Sequence, residues 1–114
     1  MRDEPLTHSF TPGKREGTMI LKLSGPLTIS TMFGFQDELR AMTPAVLIID
    51  LSETPYMDSA GLGLIMNYYV SAMDHGRKLL LAEVNDRIKA LFEMTKVKGV
   101  LPVFPTVEAA EASL

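Results

Sequence analysis

Apolar positions along this chain follow two periods in alternation, and each change of period marks a new element. Thr18 to Leu23 alternates, with Met19, Leu21 and Leu23 on one face and Ile20 interrupting the polar one, so it predicts a strand. Leu6 to Phe10 precedes it across Pro12-Gly13 and Glu16-Gly17, and the pair predicts an antiparallel hairpin at a sheet edge. Gly25-Pro26 stops the strand. Met32, Phe35, Leu39 and Met42 then recur at helical spacing, with Ser30 or Thr31 available as the cap and Pro44 closing the helix. Ala45 to Leu51 is almost continuously apolar and rich in branched side chains, the pattern of a central strand covered on both faces.

Beyond Thr54-Pro55 a long helical pattern runs from Ser59 to Asp74, with Leu62, Ile65, Tyr69 and Ala72 along one stripe and His75-Gly76 as its stop. Lys78 to Glu83 reads as a second buried strand. Asn85 caps a third helix that carries Ile88, Leu91, Phe92 and Thr95 at offsets of three and four. Gly99 releases the chain into Val100 to Phe104, where Pro102 confines the strand to an edge, and Thr106 caps a last short helix ending near Leu114.

Strands alternating with helices need crossover connections. The expected fold is therefore α/β, with a mixed, mostly parallel central sheet of about five strands, an N-terminal antiparallel hairpin and about four helices. At 114 residues the chain supports one core. Residues 1–16 read as an N-terminal tail and first edge strand, and 17–114 as the domain proper. In such sheets the functional edge lies where strand C-termini meet helix N-termini, because free amide donors and the helix dipole point there. That directs attention to Leu51 through Gly63.

A formal net charge of −3 argues against a nucleic-acid partner, which calls for a basic face. Arg87, Lys89, Lys96 and Lys98 do gather, but Asp86 and Glu93 are interleaved with them, which reads as a solvated helix face. Without cysteine there is no disulfide or thiol nucleophile, and His8 and His75 lack ligand spacing, so neither metal nor cofactor is expected. The compartment this implies is the cytoplasm. The longest apolar stretch, Leu62 to Met73, is broken by Asn67 and Ser71 and falls short of the ~20 residues a bilayer demands. The first seventeen residues carry charge without an apolar core, so neither signal peptide nor membrane insertion is expected.

The segment Tyr56-Met57-Asp58-Ser59-Ala60-Gly61-Leu62-Gly63 lies between the most buried strand and the longest helix. A helix N-terminus carries about half a positive elementary charge and several unpaired amide donors, so a phosphate on the Ser59 oxygen would meet a favourable field. Two glycines in the first turn cost the helix about 1 kcal/mol each relative to alanine and leave its backbone open to approach. A purely structural account also fits: Ser59 or Asp58 caps the helix, and the glycines let it sit close to its strand. A serine nucleophile on a strand-to-helix turn is the enzymatic rival, resembling half of G-x-S-x-G. Met57 replaces its first glycine, and His75 lies sixteen positions along the same helix, roughly 24 Å away, too far to act as base. A phosphate-binding loop is excluded because Leu64 and Ile65 follow Gly61-Leu62-Gly63. Asp50, Glu53 and Asp58 read as a local acidic patch.

These residues bring out a resemblance. The apolar strand Val46 to Leu51, the run Asp58-Ser59-Ala60-Gly61-Leu62-Gly63, the stretch Leu23-Ser24-Gly25-Pro26-Leu27 and the element order from Thr18 onward resemble the STAS domain, in particular the stand-alone bacterial anti-sigma-factor antagonists. The resemblance implies a non-enzymatic regulatory binding module. Its partner would be an anti-sigma factor with serine kinase activity, which phosphorylates the serine matching Ser59 and binds only the unmodified form; a serine phosphatase would reset it. Asp58 matches an acidic neighbour of the acceptor, and Gly61 and Leu62 match the helix start. The chain departs from the family at Pro26 and Thr28, where acids are common. The expected partner-binding surface is Tyr56, Met57, Asp58, Ser59, Ala60, Gly61, Leu62 and Gly63, joined by Ser24 and Gly25. The same fold also serves, by resemblance, as an unphosphorylated scaffold of stress-signalling assemblies or a small subunit of lipid-transport ATPase complexes.

Overall fold

The computed structural model describes residues 5–97 and 99–114. Five strands, β1 (Thr7–Pro12), β2 (Thr18–Ser24), β3 (Val46–Glu53), β4 (Lys78–Ala82) and β5 (Val103–Phe104), form one sheet in their order along the chain. β1 and β2 pair antiparallel and all other neighbours pair parallel. Four helices complete the fold: α1 (Phe35–Ala41), α2 (Ser59–Asp74), α3 (Asp86–Met94) and α4 (Val107–Ala112). The mixed α/β architecture read from the sequence is the one observed, with β3 in the middle of the sheet.

The unbroken apolar run of β3 reflects burial on both faces. Leu47, Ile49 and Leu51 point into the larger core with Leu21, Leu23, Leu79 and Leu81, where Phe35, Leu39, Leu62, Ile65, Ile88 and Phe92 of α1, α2 and α3 cover them. Ile48 faces the other way beside Leu80 and Ala82, under Ala110 and Val107 of α4. Ile20, the apolar residue that broke the alternation of β2, packs on this second cluster and sits in register with Ile48, which pairs with Leu80.

Several element bounds differ from the sequence expectation, β3 running on to Glu53, two residues past its expected end. α1 begins at Phe35 behind Gly34, which takes φ 85° and offers no side-chain cap, so neither Ser30 nor Thr31 caps it. The Thr31 hydroxyl is engaged inside the preceding loop instead, accepting from the Thr28 N–H at 2.9 Å and donating to the Pro26 carbonyl at 2.7 Å. β5 shrinks to two residues because pairing starts only where the Leu81 N–H reaches the Pro102 carbonyl at 2.9 Å. β1 extends to Pro12, two residues past the expected end. Of the basic cluster, Lys98 lies outside the described residues.

Candidate functional site

Because β2, β3 and β4 are parallel, the loops leaving them gather at one edge. The loop after β2 is fastened to the loop after β3: Gly25 N–H donates to the Glu53 carbonyl (2.9 Å), Leu27 N–H to Tyr56 (3.1 Å), and Asp58 N–H to Leu27 (3.2 Å), completing a parallel bridge between Leu27 and Met57. Buried Thr54 sends its hydroxyl to the Leu23 carbonyl at 3.2 Å. Asn85, the cap of α3, donates its side-chain amide to the Pro55 carbonyl at 3.0 Å and so attaches the third loop.

Asp58 organises the edge. It is the N-cap of α2, with extended backbone at φ −104° and ψ −177°, and its Oδ1 accepts the Gly61 N–H at 2.9 Å. Its Oδ2 accepts the Ile29 N–H at 3.0 Å, so one carboxylate both caps the helix and holds the β2–α1 loop. Removing both acceptors in Asp58→Ala is expected to cost about 2 kcal/mol, since a cap is worth about 1 kcal/mol and a bond to a charged group somewhat more. Asp58→Asn, which keeps one acceptor oxygen, should lose about half as much; thermal unfolding of the two variants checks the order.

With Asp58 as cap, Ser59 is the first helical residue, and its side chain is exposed. Among the described residues no protein acceptor meets the N–H of Ser59 or Ala60, and the first turn of α2 holds no acidic residue. The hydroxyl therefore stands at the electropositive end of a sixteen-residue helix.

The remaining expected surface residues divide. Met57 (7% exposed), Gly61 and Leu62 (4% exposed) are buried, which corrects the expectation that they face a partner. Met57 turns inward because it bridges to Leu27, and Gly61 lies under the Leu27 backbone, where a β-carbon would collide with the Leu27 carbonyl oxygen. Tyr56, Ala60 and Gly63 are half-buried and line the surface with Ser59. Ser24 and Gly25 are half-buried too. The Ser24 hydroxyl donates to Glu53 Oε1 at 2.9 Å, and Gly25, at φ 106°, sits against the Pro5 carbonyl where no side chain fits.

Glu53 also meets Lys22 Nζ at 3.0 Å; the lysine and Ser24 together hold its carboxyl below the usual range, and Glu53 in turn raises Lys22. Asp50 accepts the Ser52 N–H at 2.9 Å. The three acids thus have separate partners.

Three residues of this edge escaped the sequence reading. Ile29 (54% exposed) and Phe33 (68% exposed) are large apolar side chains on the loop that Asp58 holds. Arg87, expected on a solvated face, places its guanidinium 4.7 Å from the Tyr56 ring centroid. The available signal was that Ile29 and Phe33 fall off the helical stripe of Met32, Phe35, Leu39 and Met42. Neither histidine serves Ser59: His8 Nε2 meets Glu38 Oε2 at 2.6 Å between the Phe10 and Phe35 rings, and His75 caps the far end of α2. Among the described residues no group of three metal-ligating side chains occurs, and no helix is long and apolar enough to cross a membrane.

The site is thus an exposed serine at the first position of a helix that Asp58 caps, in an α/β domain. Residues 11–110 match the STAS domain model, and the chain belongs to that family. Over 58 residues it is 38% identical to an anti-sigma-B factor antagonist of Listeria monocytogenes, covering 51% of each chain, so it spans about half the length of that curated relative. It is 30% identical over 86 residues to the anti-sigma-B factor antagonist of Staphylococcus aureus, covering 73% of this chain and 80% of the relative. Its fold is similar to the crystal structure of an anti-sigma factor antagonist from Mycobacterium paratuberculosis, with TM-score 0.81 and 19% identity over 95% of this chain and 92% of that one.

Proposed function

We propose that the chain is an anti-sigma-factor antagonist: a non-enzymatic cytoplasmic module that binds an anti-sigma factor with serine kinase activity and is switched off when Ser59 is phosphorylated. The observation that carries this reading is the solvent-facing Ser59 hydroxyl at the first position of α2, beside a cap already satisfied by Asp58. The relatives named as anti-sigma-B factor antagonists support the partner class.

The switch follows from electrostatics. Phosphorylation adds about 1.5 to 2 negative charges next to the Asp58 carboxylate, while the free amide donors and dipole of α2 offset part of the repulsion, so the fold persists. A docked partner, in contrast, would have to bury an unpaired dianion. That costs several kcal/mol, and each 1.4 kcal/mol is about tenfold in affinity, enough to release a micromolar complex. A serine phosphatase would restore binding.

Binding of a purified ATPase-fold serine kinase to native, Ser59→Ala and Ser59→Glu protein tests the proposal. The alanine variant is expected to bind like the native chain and the glutamate variant at least tenfold more weakly, with its thermal midpoint unchanged or slightly raised by the helix dipole. ATP should label the native chain and not Ser59→Ala. Equal binding by all three, with no phosphate incorporated, would reassign the chain to constitutive assembly as a scaffold or transport-complex subunit.

A further inference from the structure

The gap between α1 and α2 contains a hollow of about 280 Å³ that the edge carrying Ser59 does not use. Its apolar walls are Leu39 of α1 and Leu64 of α2, both buried. Tyr68 closes its floor, with its hydroxyl donating to the Met42 carbonyl at 2.9 Å. Burial pushes the Tyr68 phenol above its ordinary range, with Arg77 pulling the other way, so the ring presents a neutral hydroxyl at neutral pH. Around the mouth stand Arg40, Asn67, Ser71 and Arg77.

The cations are what make this hollow unusual. Arg77 is half-buried, its guanidinium 5.7 Å from the Tyr68 ring centroid and 3.4 Å from the Tyr68 oxygen. Among the described residues no carboxylate lies within ion-pair distance of it. One long bond to a phenol uses only one of the roughly five N–H donors a guanidinium carries. Arg40 holds Asp37 at 3.6 Å in an exposed pair, the kind that contributes about 0 to 1 kcal/mol and yields readily to a better acceptor. Two guanidinium groups, an amide and a hydroxyl therefore surround an apolar slot in a chain whose net charge is −3. A planar guanidinium fork matches the geometry of carboxylate and phosphate oxygens.

We infer that this α1–α2 hollow is a binding site for a small organic anion, one carboxylate or phosphate group joined to a compact apolar body. The anionic oxygens would meet Arg77 and Arg40, and the body would lie between Leu39 and Leu64. At about 280 Å³ the hollow falls at the small end of ligand pockets, so the apolar body is compact. The α2 residues that line it lie five to twelve positions from Ser59, roughly 8 to 18 Å at 1.5 Å per residue, and its two cations lie off the Ser59 edge, so its occupancy is assayed by its own shifts rather than by partner binding.

Amide NMR titration of the full chain tests this with four probes: phenyl phosphate, benzoate, benzyl alcohol and inorganic phosphate. Phenyl phosphate or benzoate is expected to give saturable shifts at Leu39, Arg40, Leu64, Asn67, Ser71 and Arg77 in the millimolar range or below. Benzyl alcohol and inorganic phosphate, each with half the recognition elements, should bind at least tenfold more weakly. Arg77→Gln should lose at least tenfold, Arg77→Lys should recover part of that, and Ser71→Leu should block the hollow while unfolding at a native-like temperature. If neither organic anion saturates, if inorganic phosphate alone matches them, or if folded Arg77→Gln and Ser71→Leu both bind like the native chain, no such site exists.

Discussion

Gly61→Ala is expected to lower the thermal midpoint by about 10 °C, whereas Gly63→Ala, two residues along the same helix, raises it by about 3 °C. Alanine gains about 1 kcal/mol of helix propensity at either position. At Gly63 nothing lies within 4 Å of an added β-carbon, so the gain is realised. At Gly61 the same atom collides with the Leu27 carbonyl oxygen and comes within 2.9 Å of Leu27 Cγ. The backbone oxygen cannot swing aside, because Leu27 is clamped between the Tyr56 carbonyl and the Asp58 N–H. Relief requires the β2–α1 loop to lift off α2, breaking the Leu27–Met57 bridge and drawing Ile29 from Asp58. Overpacking of this kind costs about 1 to 3 kcal/mol, more against backbone; a net loss near 2 to 3 kcal/mol is about 10 °C in a domain of this size. Calorimetry of the two variants settles it, and a Gly61→Ala protein as stable as the native one would mean the loop is not seated as described.

The contrast between these glycines shows what the sequence could convey. Both stand in the first turn of α2 and look alike as letters, but only the neighbour across the fold distinguishes them. The start of α2 was legible because Asp58 and Ser59 are both capping residues; which one caps depends on the backbone angle at Asp58 and on the second bond its carboxylate makes to Ile29, a contact across 29 positions. The start of α1 was misleading for a related reason. Ser30 and Thr31 carry the hydroxyls of a helix cap, yet Thr31 spends its own inside the loop, accepting from the Thr28 N–H and donating to the Pro26 carbonyl. β3 was legible to within two residues at either end because two-sided burial leaves a run of apolar letters with no competing interpretation. Met57 was not, since one apolar residue among polar neighbours carries no period, and its inward turn follows from pairing with Leu27. Arg87 over Tyr56 is likewise invisible to local pattern, the two being joined only by the position of α3 beside the β3–α2 loop.

Ser59→Glu tests the proposed switch, but the affinity it would interrupt must come from elsewhere, because a single exposed hydroxyl contributes little binding energy. Phe33 and Ile29 are the expected source. They are 68% and 54% exposed, and they sit on a loop whose backbone is fixed to the cap of α2, so a partner docking on Ser59 meets them without having to order the loop. Large apolar side chains on a held scaffold are the residues whose truncation costs an interface most, about 2 kcal/mol or more each at a hot spot. Phe33→Ser with Ile29→Ser is therefore expected to weaken capture of the proposed serine-kinase partner by about a hundredfold. The fold should be affected by no more than about 0.5 kcal/mol, since both side chains already face water. Val70→Ser, a substitution at 51% exposure on the middle of α2, provides the comparison and should leave affinity within about twofold. Calorimetric titration with the three proteins reads the difference directly, and phosphate transfer to Ser59 should fall in parallel, because the kinase must dock before it can modify. If the double variant bound and was phosphorylated as well as the native chain, the docking face would have to be moved off the β2–α1 loop and onto the Tyr56 and Arg87 side of the helix start.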